Sequence, residues 1–139
     1  MYDKLKLWLP VSRDTINIAD HIERATDTIN RETGEICTFG TLDGLKVQSR
    51  PNGCSICGSM PKFLYGDNLN GLNRHTIKEA IDKLETMLHC SIQEAKVTEL
   101  EFGCNFPMSK PIGTYLHKLG DSPFLIRSQL MQGSLYYKN

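Results

Sequence analysis

The stretch AKVTELEFGCNF at residues 95–106 constrains the fold most, because alternate residues in it have opposite chemical character. A β-strand sends successive side chains to opposite faces of its sheet. The pattern therefore predicts a strand with an apolar core face and a polar face on which two carboxylates lie side by side. The core face carries Leu100, Phe102, Cys104 and Phe106, and the polar face carries Glu99, Glu101, Gly103 and Asn105.

The polar face of this strand is a candidate site for a divalent cation. Residues i and i+2 of a strand stand about 6.5–7 Å apart, so two Glu side chains can reach one ion. Oxygen ligands favour Mg²⁺ or Mn²⁺, and we predict Glu99, Glu101 and Asn105 as the ligands. A surface strand with a solvated polar face is the alternative, and it is the commoner explanation of such spacing.

The composition is that of one globular domain spanning residues 1–139. Hydrophobic residues make up 40% of the chain and charged residues 23%, and the length suffices for a hydrophobic core. No apolar segment approaches the roughly 20 residues of a membrane span, and the charged N-terminal stretch does not resemble a signal peptide. We therefore expect a cytoplasmic protein with no membrane partner.

Charge and cysteine content narrow the function further. The chain has 16 basic and 16 acidic residues, so any contact with DNA must come from a local patch. Five cysteines, an odd number, favour a reducing compartment over a disulfide framework. Cys54 and Cys57 have the spacing of half a zinc knuckle, but a second such pair is missing from the sequence. We interpret residues 54–60 as a strand after the turn Pro51-Asn52-Gly53.

The rest of the chain alternates strand and helix patterns. Besides the stretch at 95–106, strands are predicted at 2–9, 36–40, 45–50, 54–60, 124–127 and 134–137. Helices are predicted from Ile18 to Gly34 after an N-cap at Asn17, from Asn73 or Thr76 to Leu88, and from Ser109 to Gly120, with a loop at 61–70. This order favours an α+β fold, a mainly antiparallel sheet with helices packed on one face.

One row of polar residues is a candidate for DNA contact. Lys46, Gln48 and Arg50 share a face of the predicted hairpin, and a two-stranded ribbon fits the major groove of DNA. A solvated strand face is the alternative explanation of the row. We interpret Trp8 as a packing residue in preference to a base-stacking platform.

A second candidate group for DNA contact lies in the predicted loop at 61–70. Lys62, Tyr65 and Asn68 are its members, and side chains and backbone N–H groups of such a loop can contact phosphates. The alternative is that Pro61 and Gly66 only shape the loop while Lys62 is solvated. Both interpretations stay open at this point.

Three segments in fixed order carry a family resemblance. They are SMPKFLYGDN at 59–68, KVTELEFGCNF at 96–106 and SLYYKN at 134–139. Together they resemble the N-terminal part of the phage and plasmid replication initiators of the filamentous-phage gene-two (gene II/X) type. The resemblance covers roughly residue 45 to the C-terminus.

The resemblance implies initiation of DNA replication by the rolling-circle mechanism. In that family a tyrosine nicks and rejoins origin DNA with the help of Mg²⁺ or Mn²⁺, and Glu101 occupies the acidic position of the strand motif. The nucleophilic tyrosine is expected beyond Asn139, so this chain would hold a partial active site. The expected partner is origin DNA, and a homodimer is left open.

Two other functions remain open. The chain is alternatively a non-catalytic DNA-binding or regulatory module of a phage, plasmid or mobile element. A protein-interaction domain of such an element is the third interpretation, and it fits the zero net charge of the chain.

Overall fold

The computed structural model describes residues 2–11, 17–103, 105–127 and 135–138, and the chain divides into two compact units, Met1–Asn105 and Phe106–Asn139. The first unit contains, in order, β1 (Tyr2–Leu9), a 3₁₀ helix (Ile18–His21), β2 (Glu23–Ile29), β3 (Ile36–Leu42), β4 (Leu45–Arg50), β5 (Gly53–Ser59), α1 (Met60–Tyr65), α2 (Arg74–Leu88) and β6 (Lys96–Phe102). The second unit contains α3 (Ile112–Leu116), β7 (Ile126–Arg127) and β8 (Tyr137–Lys138).

The first unit is built on a six-stranded sheet in the order β2-β3-β4-β5-β1-β6. Every neighbouring pair is antiparallel. The α+β prediction is therefore confirmed. In the described ranges, no helix is long and apolar enough to cross a membrane.

One face of this sheet is covered and forms the core. Alternate residues of β1 and of the β4–β5 hairpin point to it and pack with the buried side of α1 and α2. We call this side the covered face. Its buried members include Leu5, Leu7, Leu9, Val47, Ile56, Phe63, Ala80, Leu84 and Leu88.

The opposite side, which we call the open face, carries polar and aromatic residues. Two rows of residues cross β1, β5 and β4 on this face. One row is Lys6, Cys57 and Lys46, and the other is Trp8, Ser55 and Gln48. Since side chains alternate along each strand, Lys4 and Arg50 share this face.

The helix predicted from Ile18 to Gly34 is wrong. Only a single 3₁₀ turn forms, without a side-chain cap from Asn17, and residues 23–29 form β2 against β3. Ile18 and Ile22 are buried while Ile29 is 63% exposed, so the helical stripe had no core to cover along its length. Pairing with β3 satisfies the backbone instead.

The loop predicted at 61–70 begins with a helix. Ser59 caps α1 by accepting a hydrogen bond from the Lys62 backbone N–H, and Pro61 lies in the first turn. Gly66 ends the helix in the left-handed conformation, with φ of 84°, which glycine adopts without strain. Only residues 66–70 remain irregular.

The other element predictions hold with shifted bounds. Asn73 caps α2 in a capping box with Thr76, and the β4–β5 hairpin turns at Pro51 and Asn52 as predicted. In the second unit, α3 is shorter than expected, and β7 pairs with β8. Ser134, predicted to begin the last strand, lies outside the described residues.

Candidate functional site

Strand β6 does not alternate regularly, because a β-bulge in it interrupts its pairing with β1, while a second register shift has its extra residue in β1, between Tyr2 and Leu5. Thr98 is the extra residue of one bulge: Glu99 lies opposite Lys6, and Val97 lies opposite Leu7. Val97 and Leu100 consequently both point to the covered face. Glu99 and Glu101 point to the open face, as their contacts with Lys4 show.

The two carboxylates do converge, and the cation between them is the ammonium group of Lys4. Lys4 Nζ donates to Glu99 Oε1 and to Glu101 Oε1, each at 2.7 Å. The hydrogen bonds that Lys4 donates, to Glu101 first and then to Glu99, raise the pKa of Lys4 above its ordinary value. The hydrogen bond from Lys4 lowers the pKa of Glu99, so both groups are fully charged at neutral pH.

The part of the prediction that extended the strand to Phe106 is wrong. β6 ends at Phe102, so Asn105 lies beyond the strand and off the row of Glu99 and Glu101. Its side-chain Nδ2 donates to the backbone oxygens of Asn68 and Leu69, both at 3.0 Å. Asn105 thus anchors the loop after α1.

The prediction that one face of β6 is buried in the core is also wrong. Leu100 is 40% exposed and Phe102 69% exposed, because β6 is the last strand of the sheet and no helix covers it fully. Phe106 belongs to the second unit and is 71% exposed. Cys104 lies outside the described residues.

The metal prediction stays a prediction. Within the described ranges, His, Cys, Asp and Glu do not form a group of three that could hold a metal ion.

The strand interpretation of Cys54 is confirmed, since it lies in β5. Burial raises the pKa of the Cys54 thiol to about 12, so the thiol is protonated at neutral pH in the metal-free protein.

A second site on the open face brings together residues from four strands. Lys6, Trp8, Gln48, Arg50, Ser55 and Thr98 line a groove of about 260 Å³, which we call the open-face groove. Its lining residues include two cations and no carboxylate. The groove therefore sets two cations beside the indole of Trp8, with Glu99 directly across from Lys6 on the neighbouring strand.

Aromatic and cationic residues of the open face lie in neighbouring rows across the strands. Trp8, Ser55, Gln48 and Phe39 are successive partners across β1, β5, β4 and β3. Three strand spacings of about 4.8 Å separate the two aromatics by about 14 Å. The next row holds Lys6 and Lys46, and Arg50 lies on the other side of the aromatic row.

Two contacts fix side chains of the open-face groove. With its amide oxygen assigned toward Arg50, Gln48 accepts from Arg50 Nε at 3.0 Å and Nη2 at 2.9 Å. The Trp8 indole lies so close to Gly53 that a Cβ there would come within 2.4 Å of Cζ2. The guanidinium and the indole are thereby each fixed by a contact within the sheet.

The structure separates the two predicted groups of DNA-contact residues. Lys46, Gln48 and Arg50 lie together on the open face. Lys62 and Tyr65 lie on α1, which packs against the covered side, and Asn68 lies in the loop after α1. The second group therefore does not extend the first.

Sequence reasoning missed Lys6, Ser55, Phe39 and Thr98 as members of the same surface. It treated Trp8 as a packing residue, and the Trp8 ring does pack against Gly53 while it also lines the groove. The alternation in β1 already places Lys6 and Trp8 opposite the buried leucines. What the sequence does not contain is the strand order, which puts β1 between β5 and β6.

The ribbon mode of DNA contact is also corrected. The β4–β5 hairpin lies inside the sheet, with β3 on one side and β1 on the other. Six strands about 4.8 Å apart span about 24 Å, while the major groove is about 12 Å wide. The sheet cannot enter the groove as a two-stranded ribbon would.

Comparison of the chain with protein-family models, with curated proteins and with solved structures finds no match. The resemblance to replication initiators therefore stays a prediction, and the function rests on the geometry of the open face.

Proposed function

We propose that this chain is a DNA-binding module that holds single-stranded DNA on the open face of its sheet. The observation that carries the proposal is the open-face groove, where Trp8 lies beside Lys6 and Arg50. The site of action is the cytoplasm, where reducing conditions keep thiols such as Cys37 and Cys57 free.

Single-stranded nucleic acid is bound by aromatic side chains, on which bases stack, and by cations that follow the backbone. Trp8 and Phe39 supply two aromatic positions in one row, and Phe39 is 41% exposed. Lys6, Lys46 and Arg50 flank that row, where phosphates of a strand stacked on it would pass. Each stacked base contributes about 1–3 kcal/mol.

A single strand fits this surface better than a duplex. A sheet about 24 Å wide is too broad for the major groove, and bases inside a duplex have no free face for Trp8. In a single strand both the base faces and the phosphates are available, so all of the open-face groove can be used.

The test uses Trp8, the only tryptophan of the chain, as an intrinsic fluorescent probe. Titration with single-stranded oligonucleotides should quench its emission, and equal amounts of duplex of the same sequence should quench it far less. Arg50→Ala should weaken binding at least about fivefold, since one charge-assisted phosphate contact is lost. Lys78→Ala, an exposed change on α2, is the matched control and should bind like the wild type.

Two results would contradict the proposal. One is equal quenching of Trp8 by duplex and single strand, which would point to contact with the backbone alone. The other is the same loss of affinity in Arg50→Ala and Lys78→Ala, which would mean that binding is not located on the open face.

A rolling-circle nicking activity is the second candidate, and one observation favours it. Glu99 Oε1 and Glu101 Oε1 both reach a single point, which the Lys4 ammonium occupies. A divalent cation at that point would lie beside the open-face groove, polarise a phosphodiester and activate a tyrosine nucleophile. For this, Lys4 would have to move away.

The metal part of this second candidate is tested by removing Lys4. In Lys4→Met the two carboxylates lose their ammonium partner, so Mn²⁺ should raise the melting temperature of the variant more than that of the wild type. Adding Glu101→Gln to Lys4→Met should abolish the difference. If the melting temperature of Lys4→Met does not respond to Mn²⁺, the metal site is excluded. The proposal of single-stranded DNA binding does not depend on this result.

A further inference from the structure

Strand β6 is an edge strand with exposed apolar side chains. It is the last strand of the six-stranded sheet, and in the described part of the chain no strand pairs with its outer edge. Val97 is 58% exposed, Leu100 40% and Phe102 69%. Unpaired backbone groups beside apolar side chains make an edge a template for pairing with another strand.

An apolar groove runs along the inner side of this edge. Ile77 and Ile81 of α2 line it together with Ala95, Val97 and Leu100, and its volume is about 320 Å³. The groove is large enough to accept an aromatic side chain. An exposed phenylalanine, Phe102, lies at the end of the same strand.

We propose that β6 pairs antiparallel with β6 of a second copy of this chain, across a twofold axis. In the proposed register, Val97 lies opposite Leu100 of the second copy, and Lys96 lies opposite Glu101. The same register sets Phe102 of the second copy beside Ala95, at the mouth of the apolar groove. Every one of these pairs occurs twice, because the contact is symmetric.

The bulge at Thr98 fixes this register. Because of it, Val97 and Leu100 both point to the covered side, while Glu99 and Glu101 point to the open face. A shift by one residue would place Val97 opposite Glu99 or Glu101 and bring side chains of opposite faces together. Sheet pairing does not tolerate such a mismatch, since a one-residue slip reverses the faces.

Charge complementarity indicates that the strand paired with the β6 edge is β6 of a second copy of this chain. The covered face of the proposed pairing is apolar against apolar, and the open face sets Lys96 against Glu101 at both ends and Thr98 against Glu99 at the centre. Glu101 already accepts from Lys4 through Oε1, and a carboxylate has a second oxygen for Lys96 of the second copy. Opposite charges directly across a strand pair stabilise it, and like charges destabilise it.

A strand pair with one inserted aromatic on each side lies at the small end of specific interfaces. The dimer is therefore expected to depend on protein concentration, and its dissociation is measured by analytical ultracentrifugation of the full chain without DNA. Lys96→Glu should raise the dissociation constant at least about tenfold, since two attractive pairs become two repulsive ones. Because Glu101→Lys also removes the contact with Lys4, the double variant Lys96→Glu/Glu101→Lys should dimerise at least about threefold more tightly than Lys96→Glu alone, without full recovery of the wild-type dissociation constant.

Two further variants complete the test. Phe102→Ala removes an exposed ring and should weaken the dimer while leaving the circular dichroism spectrum unchanged. Lys78→Glu makes the same charge change as Lys96→Glu on an exposed position of α2, and it should leave the dimer intact. A monomer at every concentration, or a double variant no better than Lys96→Glu alone, would overturn the proposal.

Discussion

Lys4 shows how one residue changes what two others can do. Two carboxylates on the open face would attract a free cation, and Lys4 supplies a tethered one at 2.7 Å from each. All three side chains are exposed to a third or more of their surface, so the pairing contributes little to stability. Its consequence is chemical, because a metal ion would have to displace Lys4 from the same oxygens.

The pKa of Glu99 reports its contact with Lys4. Because Lys4 holds it below its ordinary value of 4.5, the pairing stabilises the fold above that value and is lost as the pH falls through the lowered pKa. We expect Lys4→Met to raise the Glu99 pKa, measured by NMR titration of the side-chain carboxyl carbon. Lys78→Met, a charge loss on the exposed side of α2, serves as the control, and an equal rise in both variants would contradict the assignment.

At the scale of elements, the β4–β5 hairpin joins the core to the open-face groove. On the covered side Val47 and Ile56 are buried, and on the open side Gln48 and Arg50 line the groove. The turn returns the chain at Gly53, against which the Trp8 indole lies. The position of that indole thus depends on a residue without a side chain.

Replacing Gly53 should therefore disturb both stability and the groove. A Cβ at this position would lie 2.8 Å from the Leu9 backbone oxygen and 2.4 Å from the Trp8 ring, so Gly53→Ala should cost about 1–3 kcal/mol in the free energy of unfolding. Urea denaturation measures the loss, and the Trp8 emission maximum should shift.

The matched control for Gly53→Ala is Gly103→Ala. There the nearest atom to a new Cβ is the Asp3 Cβ at 3.5 Å, an ordinary contact, so stability should change by less than about 0.5 kcal/mol. Equal effects of the two substitutions would show that contact with the Trp8 ring is not what limits Gly53.

At the scale of the molecule, zero net charge conceals a separation of charges. The 16 basic and 16 acidic residues cancel in number, yet the lining of the open-face groove holds Lys6 and Arg50 without a carboxylate, while Glu99 and Glu101 beside it are paired with Lys4. Local potential, not total charge, governs association with a polyanion over distances within a Debye length.

This separation predicts a specific salt dependence. If Lys6, Lys46 and Arg50 each contact a phosphate of single-stranded DNA, the logarithm of the binding constant should fall with the logarithm of salt concentration at a slope of about −2. Lys6→Ala should make the slope shallower by about 0.7. Fluorescence titrations at several salt concentrations measure both, and a slope unchanged in Lys6→Ala would exclude that contact.

The sequence by itself determined the elements whose stabilising contacts are local. The β4–β5 hairpin follows from alternation on both sides of Pro51 and Asn52, and α2 follows from its apolar stripe and the cap at Asn73. Alternation also placed Glu99 and Glu101 on one face. Neighbouring residues decide these features, so they can be predicted from a window of the chain.

Only the tertiary structure decided which strands pair and which side chains lie in contact across the sheet. Residues 23–29 have a helical pattern but form β2, because pairing with β3 satisfies their backbone. Lys4 lies between carboxylates that are 95 and 97 residues away in sequence. The strand order sets Trp8 beside Ser55 and Gln48. Contacts across such separations depend on how the whole sheet assembles, and local patterns do not specify that assembly.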